Sequence, residues 1–215
     1  MTSTDYRTTR LDSALQSPDA SLRLRAALAA GSDPMPADVP VLIAHCRTEP
    51  DFFVRDMLTW ALTCHPADRT VPLLLTELGS PNPQACAQAL HTLSKIGDAR
   101  AWPQITDGLL GAPDDEVARA AWRAAVRLVP GGQRATLARR LAGQLGRGGR
   151  DVQLSLSRAF VALGADAEDV LAEAALRGSS VVRLHAVATQ RLVSDPDSGF
   201  DAALAEAKRV LALGS

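Results

Sequence analysis

The chain has 215 residues, of which 47% are hydrophobic and 22% are charged, and its net charge at pH 7 is −1. This balance is ordinary for a globular protein and argues against a chain that binds nucleic acid along its whole length. Ala, Leu and Arg dominate, while aromatic residues make up only 4% of the chain, a composition that favours helices.

The start of the chain is polar and lacks the apolar segment of a secretory signal. We therefore expect a flexible lead-in over residues 1–10, followed by a single domain over residues 11–215. No run of about 18 apolar residues occurs, so we expect no membrane span. Cys46, Cys64 and Cys86 form no CxxC pair, which is typical of reduced cysteines in a cytoplasmic protein.

A Pro followed by Asp or Asn recurs at spacings of 32, 31 and 32 residues. Each copy precedes a similar Ala- and Leu-rich segment, and two weaker copies of that segment follow later in the chain. The six segments start at Leu22, Val54, Ala85, Val117, Val152 and Val182. Six copies at nearly constant spacing indicate a structural repeat.

Each repeated segment has the pattern of a helix. Counted from its first residue, apolar or small side chains fall at positions one, five, eight, nine and twelve, which share one helix face. An N-cap candidate stands three residues before the first four segments, namely Asp19, Asp51, Asn82 and Asp114. A shorter apolar segment with a proline precedes the second, third and fourth copies, and Pro40, Pro72 and Pro103 are expected in its first turn. Each unit is thus predicted to be a helical hairpin.

The second and third copies, the latter ending in Ile96-Gly97-Asp98, resemble the HEAT repeat, particularly the bacterial type described from phycobiliprotein lyases. Arg23, Arg55 and Arg183 match the arginine near the start of that pattern. The resemblance covers about residues 11–193 and implies an all-α fold, a right-handed α-solenoid of about six helical hairpins. The C-terminal segment from Gly199 is then a capping helix. The glycine-rich LGRGGR departs from the pattern and predicts a longer turn in the fifth unit.

No catalytic, metal or cofactor site is predicted. Cys86, His91 and Asp98 lie close together in the sequence, but positions two and seven of a helix do not converge, and Asp98 is expected to cap the next helix. The histidines have no HxxxH or HExxH spacing, and no P-loop or GxSxG motif occurs.

Residues 117–165 contain nine arginines and one acid, so this window carries about +8 while the rest of the chain carries about −9. The resemblance implies that the second helix of each hairpin lines a concave surface. Positions three, seven, ten and fourteen of that helix lie opposite its buried stripe and are expected to face this surface. These positions, with Trp122 at position six, predict a binding groove that has an aromatic centre and an arginine half. Its predicted partner-binding residues are Trp60, His91, Arg119, Trp122, Arg123 and Arg158.

Three functions remain open at this point. The first is a scaffold for a protein or peptide partner with an acidic patch, because Trp and Arg dominate the energetics of many interfaces. The second is a nucleic-acid-binding protein similar to HEAT-like DNA glycosylases, with the arginines on phosphates. The third, implied by the repeat subtype alone, is a bilin lyase or a lyase-like chaperone. The sequence does not determine the oligomeric state.

Overall fold

The structure is a computed structural model that describes residues 3–213, and this part of the chain is all-helical with no strand. Thirteen α-helices lie within the described residues. They are α1 (Ser3–Leu15), α2 (Ala20–Ser32), α3 (Val39–Cys46), α4 (Phe52–Cys64), α5 (Ala67–Glu77), α6 (Pro83–Ile96), α7 (Asp107–Leu110), α8 (Asp115–Leu128), α9 (Arg134–Ala142), α10 (Arg150–Leu163), α11 (Glu168–Arg177), α12 (Ser180–Ser194) and α13 (Phe200–Leu213). Short 3-10 turns precede α3, α7, α9 and α11.

The contacts divide the chain into two compact units, Met1–Gln104 and Ile105–Ser215. Within the first unit, α2, α4 and α6 pack in one layer and α1, α3 and α5 in the other. Within the second unit, α8, α10 and α12 form one layer and α7, α9 and α11 the other, and α13 packs on α12. Each unit is thus a stack of helical hairpins, the arrangement of an α-solenoid. The all-α solenoid class predicted from the sequence is confirmed, whereas the single domain stays a prediction.

All six repeated segments are helices, and they correspond to the even-numbered helices from α2 to α12. The four predicted N-caps are also observed, because the side chain of each accepts hydrogen bonds from backbone N–H groups in the first turn. At the other end of α6, Gly97 has a φ of 73° in the left-handed region, which is typical of a glycine that ends a helix. The turn between α9 and α10 spans residues 143–149, which confirms the longer connection in the fifth unit.

The N-terminal segment differs from the prediction, since helix α1 begins at Ser3 where a flexible lead-in over residues 1–10 was expected. Residues 1 and 2 lie outside the described part. The helix is held because Leu11 and Leu15 are buried and because Arg7 forms ion pairs with Asp33 and Asp38, at 2.6 and 3.0 Å. Residues 3–15 therefore supply the first helix of the first hairpin.

Two of the shorter first helices also differ from expectation. Pro72 lies in the second turn of α5 rather than in its first, because α5 already begins at Ala67. The segment around Pro103 is not one helix but a 3-10 turn over Ala99–Gln104 followed by α7. The chain breaks there because Thr106 caps α7 with its side-chain hydroxyl and starts a new helix. None of the helices within residues 3–213 is both long and apolar enough to cross a membrane.

The predicted C-terminal cap is confirmed as α13, which covers the last hairpin of the second unit. Its Phe200, Ala203 and Ala207 form an apolar cluster with Ala188 and Leu192 of α12. An ion pair joins the start of α13 to the start of α10, because Arg150 donates two hydrogen bonds to Asp201 at 2.7 and 2.6 Å.

Candidate binding groove

Three of the six predicted binding residues meet in one surface groove of the second unit. Arg119 and Arg123 lie one turn apart on α8, and Arg158 faces them from α10. The groove has a volume of about 290 Å³. It is lined by Arg119, Arg123, Val126, Asp151, Leu154, Ser155, Arg158 and Ala159.

The floor and walls of the groove were not singled out from the sequence. Val126 and Leu154 occupy positions ten and three of their repeats, on the same exposed face as the arginines, so the position rule that found the arginines would have found them too. Ser155 and Ala159 are buried between the helices. The groove is therefore an apolar cleft with guanidinium groups along its edges.

The three arginines differ in how they are neutralised. Arg119 forms an ion pair with Glu116 at 2.7 Å, while its Nε is buried and has no hydrogen-bond acceptor in the part of the chain that the structure describes. Arg123 and Arg158 are exposed and form no ion pair with any residue in the described range. Partial desolvation lowers the pKa of Arg123 below its ordinary value, and the positive charge of Arg119 lowers it further.

One acidic residue, Asp151, lines the groove, and it is already paired with Arg150. Asp151 accepts a hydrogen bond from Arg150 at 2.9 Å, and Arg150 is also bound to Asp201. With Glu116 engaged by Arg119, the charges of Arg123 and Arg158 remain uncompensated within the described residues. The groove is thus locally cationic.

The charge asymmetry read from residues 117–165 is largely neutralised in space. Most of its arginines pair with carboxylates that lie outside that window in the sequence. The pairs are Arg119–Glu116, Arg134–Asp166, Arg140–Asp107, Arg147–Asp115 and Arg150–Asp201. A cationic surface therefore remains only at the arginines that have no such carboxylate, and two of these, Arg123 and Arg158, lie in the groove.

Trp122 is not part of the surface, which corrects its predicted place on the exposed face. The residue is fully buried, its Nε1–H donates to the carbonyl of Leu110 at 2.8 Å, and the guanidinium of Arg147 lies 5.9 Å from its ring. The physical reason is that α8 packs against α7, α9 and α10, so a wider arc of the helix is covered than the apolar stripe alone predicts.

Trp60 and His91 belong to the first unit. Trp60 remains 39% exposed, and its ring lies over Gly31 of α2. His91 is half-buried in α6, where its carbonyl accepts a hydrogen bond from the Ser94 hydroxyl. A continuous surface that runs from Trp60 to Arg158 therefore stays a prediction.

Ser157 of α10 and His185 of α12 are in contact and have the residue types of a nucleophilic site. Both are buried, so a substrate cannot reach them. The Ser157 hydroxyl lies 3.0 Å from His185 Nε2 and 2.8 Å from the Thr189 hydroxyl, and all three residues are buried. Burial also lowers the pKa of His185 to about 4. This network joins two helices. Within the described residues, no group of three or more His, Cys, Asp or Glu side chains is placed to hold a metal ion.

Comparison with known proteins identifies no family for the chain. No family profile matches the sequence. No curated protein matches it. Among solved structures, the complex of CpcE and CpcF of phycocyanin lyase from Nostoc sp. PCC7120 is 20% identical, with 86% of this chain and 76% of that chain covered and a TM-score of 0.47. An engineered protein determined by crystallography is also 20% identical, with 93% and 97% covered and a TM-score of 0.46. At these TM-scores, neither likeness carries an argument about function, and membership of the HEAT family stays a prediction.

Proposed function

We propose that this protein is a helical-repeat scaffold that binds an acidic segment of a protein or peptide partner in the groove between α8 and α10. The observation that carries the proposal is the pair Arg123 and Arg158, which flank an apolar cleft without an ion pair inside the described chain. Arginine side chains beside an apolar surface are among the groups that contribute most to binding at interfaces.

The chemistry of the groove suits carboxylates next to apolar side chains. A partner carboxylate gains charge-assisted hydrogen bonds from Arg123 and Arg158, while a neighbouring apolar side chain is removed from water against Val126 and Leu154. Such complementarity also steers association, so binding is expected to weaken as salt is added.

Two other functions were open after the sequence analysis. Nucleic-acid binding is supported less, because most arginines of the 117–165 window are already paired with carboxylates and because Trp122 is buried and does not stack on bases. One structural neighbour is a phycocyanin lyase complex, but at a TM-score of 0.47 this likeness does not support the bilin lyase alternative. The groove, at about 290 Å³, is also slightly smaller than the roughly 300–1,000 Å³ typical of small-molecule sites.

The proposal is tested by fluorescence anisotropy with a labelled peptide of alternating Glu and Leu residues and with a Gln-for-Glu counterpart. We expect the Glu peptide to bind more tightly, with an affinity that falls between 50 and 300 mM NaCl by about tenfold or more. The R123E/R158E variant is expected to lose binding while its helicity and melting temperature stay unchanged, because both side chains are exposed.

The matched control is R127E/R139E, which makes the same change in net charge at two exposed arginines that do not line the groove. Binding that is equal in the two double variants contradicts the assignment of the groove. A gel shift with duplex and single-stranded DNA and RNA at the same two salt concentrations tests the nucleic-acid alternative. Absorbance of the protein after co-expression with a bilin source tests the lyase alternative.

A further inference from the structure

We propose that the group which this groove binds is a phosphoryl group, carried by a phosphorylated side chain of the partner peptide. The inference rests on the proposed function and specifies its ligand chemistry. It follows from three features of the groove: the number of hydrogen-bond donors at its edges, the repulsion between its cations, and the extent of the cationic surface.

The first feature is the set of donors around the cleft. The guanidinium N–H groups of Arg123 and Arg158 donate to no acceptor in the described chain. Arg119 donates one hydrogen bond to the exposed carboxylate of Glu116. A phosphoryl group presents three acceptor oxygens to these three guanidinium groups, whereas a carboxylate presents two. The ion pair with Glu116 is exposed and hence weak, so a ligand displaces it at little cost.

The second feature is the repulsion between like charges along α8. Arg119 and Arg123 are one helical turn apart, where cations destabilise each other. The pKa of Arg123 is lowered chiefly by desolvation, and the charge of Arg119 lowers it further. Adding Arg158 from the facing helix brings a third positive charge to the cleft. A phosphomonoester carries about −1.5 to −2 at pH 7, so it relieves this repulsion more fully than a single carboxylate does.

The third feature is how far the cationic surface extends. Nucleic acids carry a phosphate at every nucleotide and bind surfaces that offer a track of cations, commonly with aromatic side chains for stacking. Here three arginines line one short cleft, with Asp151 in its wall and apolar side chains of Val126 and Leu154 beside it, and the cleft is not continued by Arg127 or Arg139, which do not line it. Such a cleft fits one phosphorylated residue with an apolar neighbour better than a polynucleotide.

The test uses the full-length protein and three degenerate peptide libraries that differ only in a central phosphoserine, Glu or Ser. We expect the immobilised protein to retain the phosphoserine library at least about tenfold more than the Glu library. Retention should be lost in the R123A/R158A variant and kept in R127A/R139A. Inorganic phosphate should compete better than acetate at equal ionic strength.

The pH dependence supplies a second readout. The second phosphate ionisation lies near pH 6, so retention of the phosphoserine library should rise by about threefold or more between pH 5.5 and 7.5. The side chains that line the groove include arginines and one Asp but no His, so retention of the Glu library should not change over this range.

The outcomes separate this inference from the function on which it rests. Equal retention of the phosphoserine and Glu libraries, both dependent on Arg123 and Arg158, overturns the phosphoryl assignment and leaves the acidic-partner proposal standing. No retention of either library overturns both. Retention of a single-stranded oligonucleotide through the same two arginines, with no phosphopeptide retained, overturns the assignment to a peptide.

Discussion

At the scale of single residues, one glycine determines how closely α2 and α4 approach. A Cβ added at Gly31 would lie 2.4 Å from the Trp60 ring and 2.9 Å from the Cα of Ala61. Real Cβ atoms do not tolerate such distances, and the second contact is with backbone that cannot rotate away. The glycine therefore allows the two helices to pack and Trp60 to lie across their junction.

We expect Gly31→Ala to destabilise the protein by about 1–3 kcal/mol, the usual cost of forcing extra atoms into a packed interface. The measurement is the free energy of unfolding in urea. Gly132→Ala is the matched control, because a Cβ there meets no atom within 4 Å and its φ is not positive. Equal stabilities of the two variants would show that α2 and α4 are not packed as described.

At the scale of elements, the second helices of the hairpins were predictable and several first helices were not. A second helix has a strong period in its apolar side chains and an Asp or Asn cap, two local signals that agree. The first helices from α3 to α11 are shorter than the second helices. Helix α1 is as long as α2 but owes its position to side chains far along the chain, through the ion pairs of Arg7 with Asp33 and Asp38. No local pattern in residues 1–10 contains that information.

The arginine near the start of the repeat pattern makes contacts that also show a limit of prediction from local sequence. Arg55 donates to the carbonyl oxygens of Glu49 and Pro50 in the loop before its own helix. In the fourth repeat this position is Ala118, and the carbonyl oxygens of Ala112 and Pro113 are instead bound by Arg147 from the next hairpin. A departure from the repeat pattern is thus compensated by a residue that the pattern does not mark.

The packing of α10 against α12 depends on a neutral histidine. The backbone N–H of Gly146 donates to His185 Nδ1 at 3.0 Å, so the proton of the neutral ring is on Nε2, close to the Gln153 carbonyl and the Ser157 hydroxyl. Burial lowers the folded-state pKa to about 4, below the ordinary value of 6.5. The unfolded chain therefore binds the proton more readily at every pH between these values.

The stability that this histidine contributes should be fully present above pH 6.5 and should be lost as the pH falls toward 4. We expect the wild type to lose about 2 kcal/mol more than His185→Gln between pH 7 and pH 5, as measured by urea unfolding. All other side chains are the same in the two proteins, so their contributions cancel in this difference. An identical pH dependence of the two proteins would show that His185 is not buried in its neutral form.

At the scale of the whole molecule, helix positions predicted part of the site, whereas the distribution of charge along the sequence overestimated it. The position rule placed Arg119, Arg123 and Arg158 together because all three lie opposite the buried stripes of adjacent helices. The net charge of residues 117–165 predicts a larger basic surface than exists. It counts arginines whose carboxylate partners lie outside that window, as Asp107 does for Arg140. Pairing across hairpins is a property of the fold and cannot be read from a linear window.

The organisation into two compact units leads to a prediction about how the chain unfolds. In repeat architectures each hairpin contacts only its neighbours, so a local defect is expected to loosen one part of the array more than the rest. Leu62 in α4 and Leu156 in α10 are both fully buried, one in each unit, and each change to Ala should cost about 2–5 kcal/mol.

We expect Leu62→Ala to accelerate amide hydrogen exchange mainly within residues 1–104, and Leu156→Ala mainly within residues 105–215. The exposed Leu176 supplies the control, because its change to Ala removes no buried contact and should alter exchange in neither unit. Exchange that rises equally along the chain in both core variants would mean that the array unfolds as one cooperative block, which is the behaviour that the single domain predicted from the sequence requires.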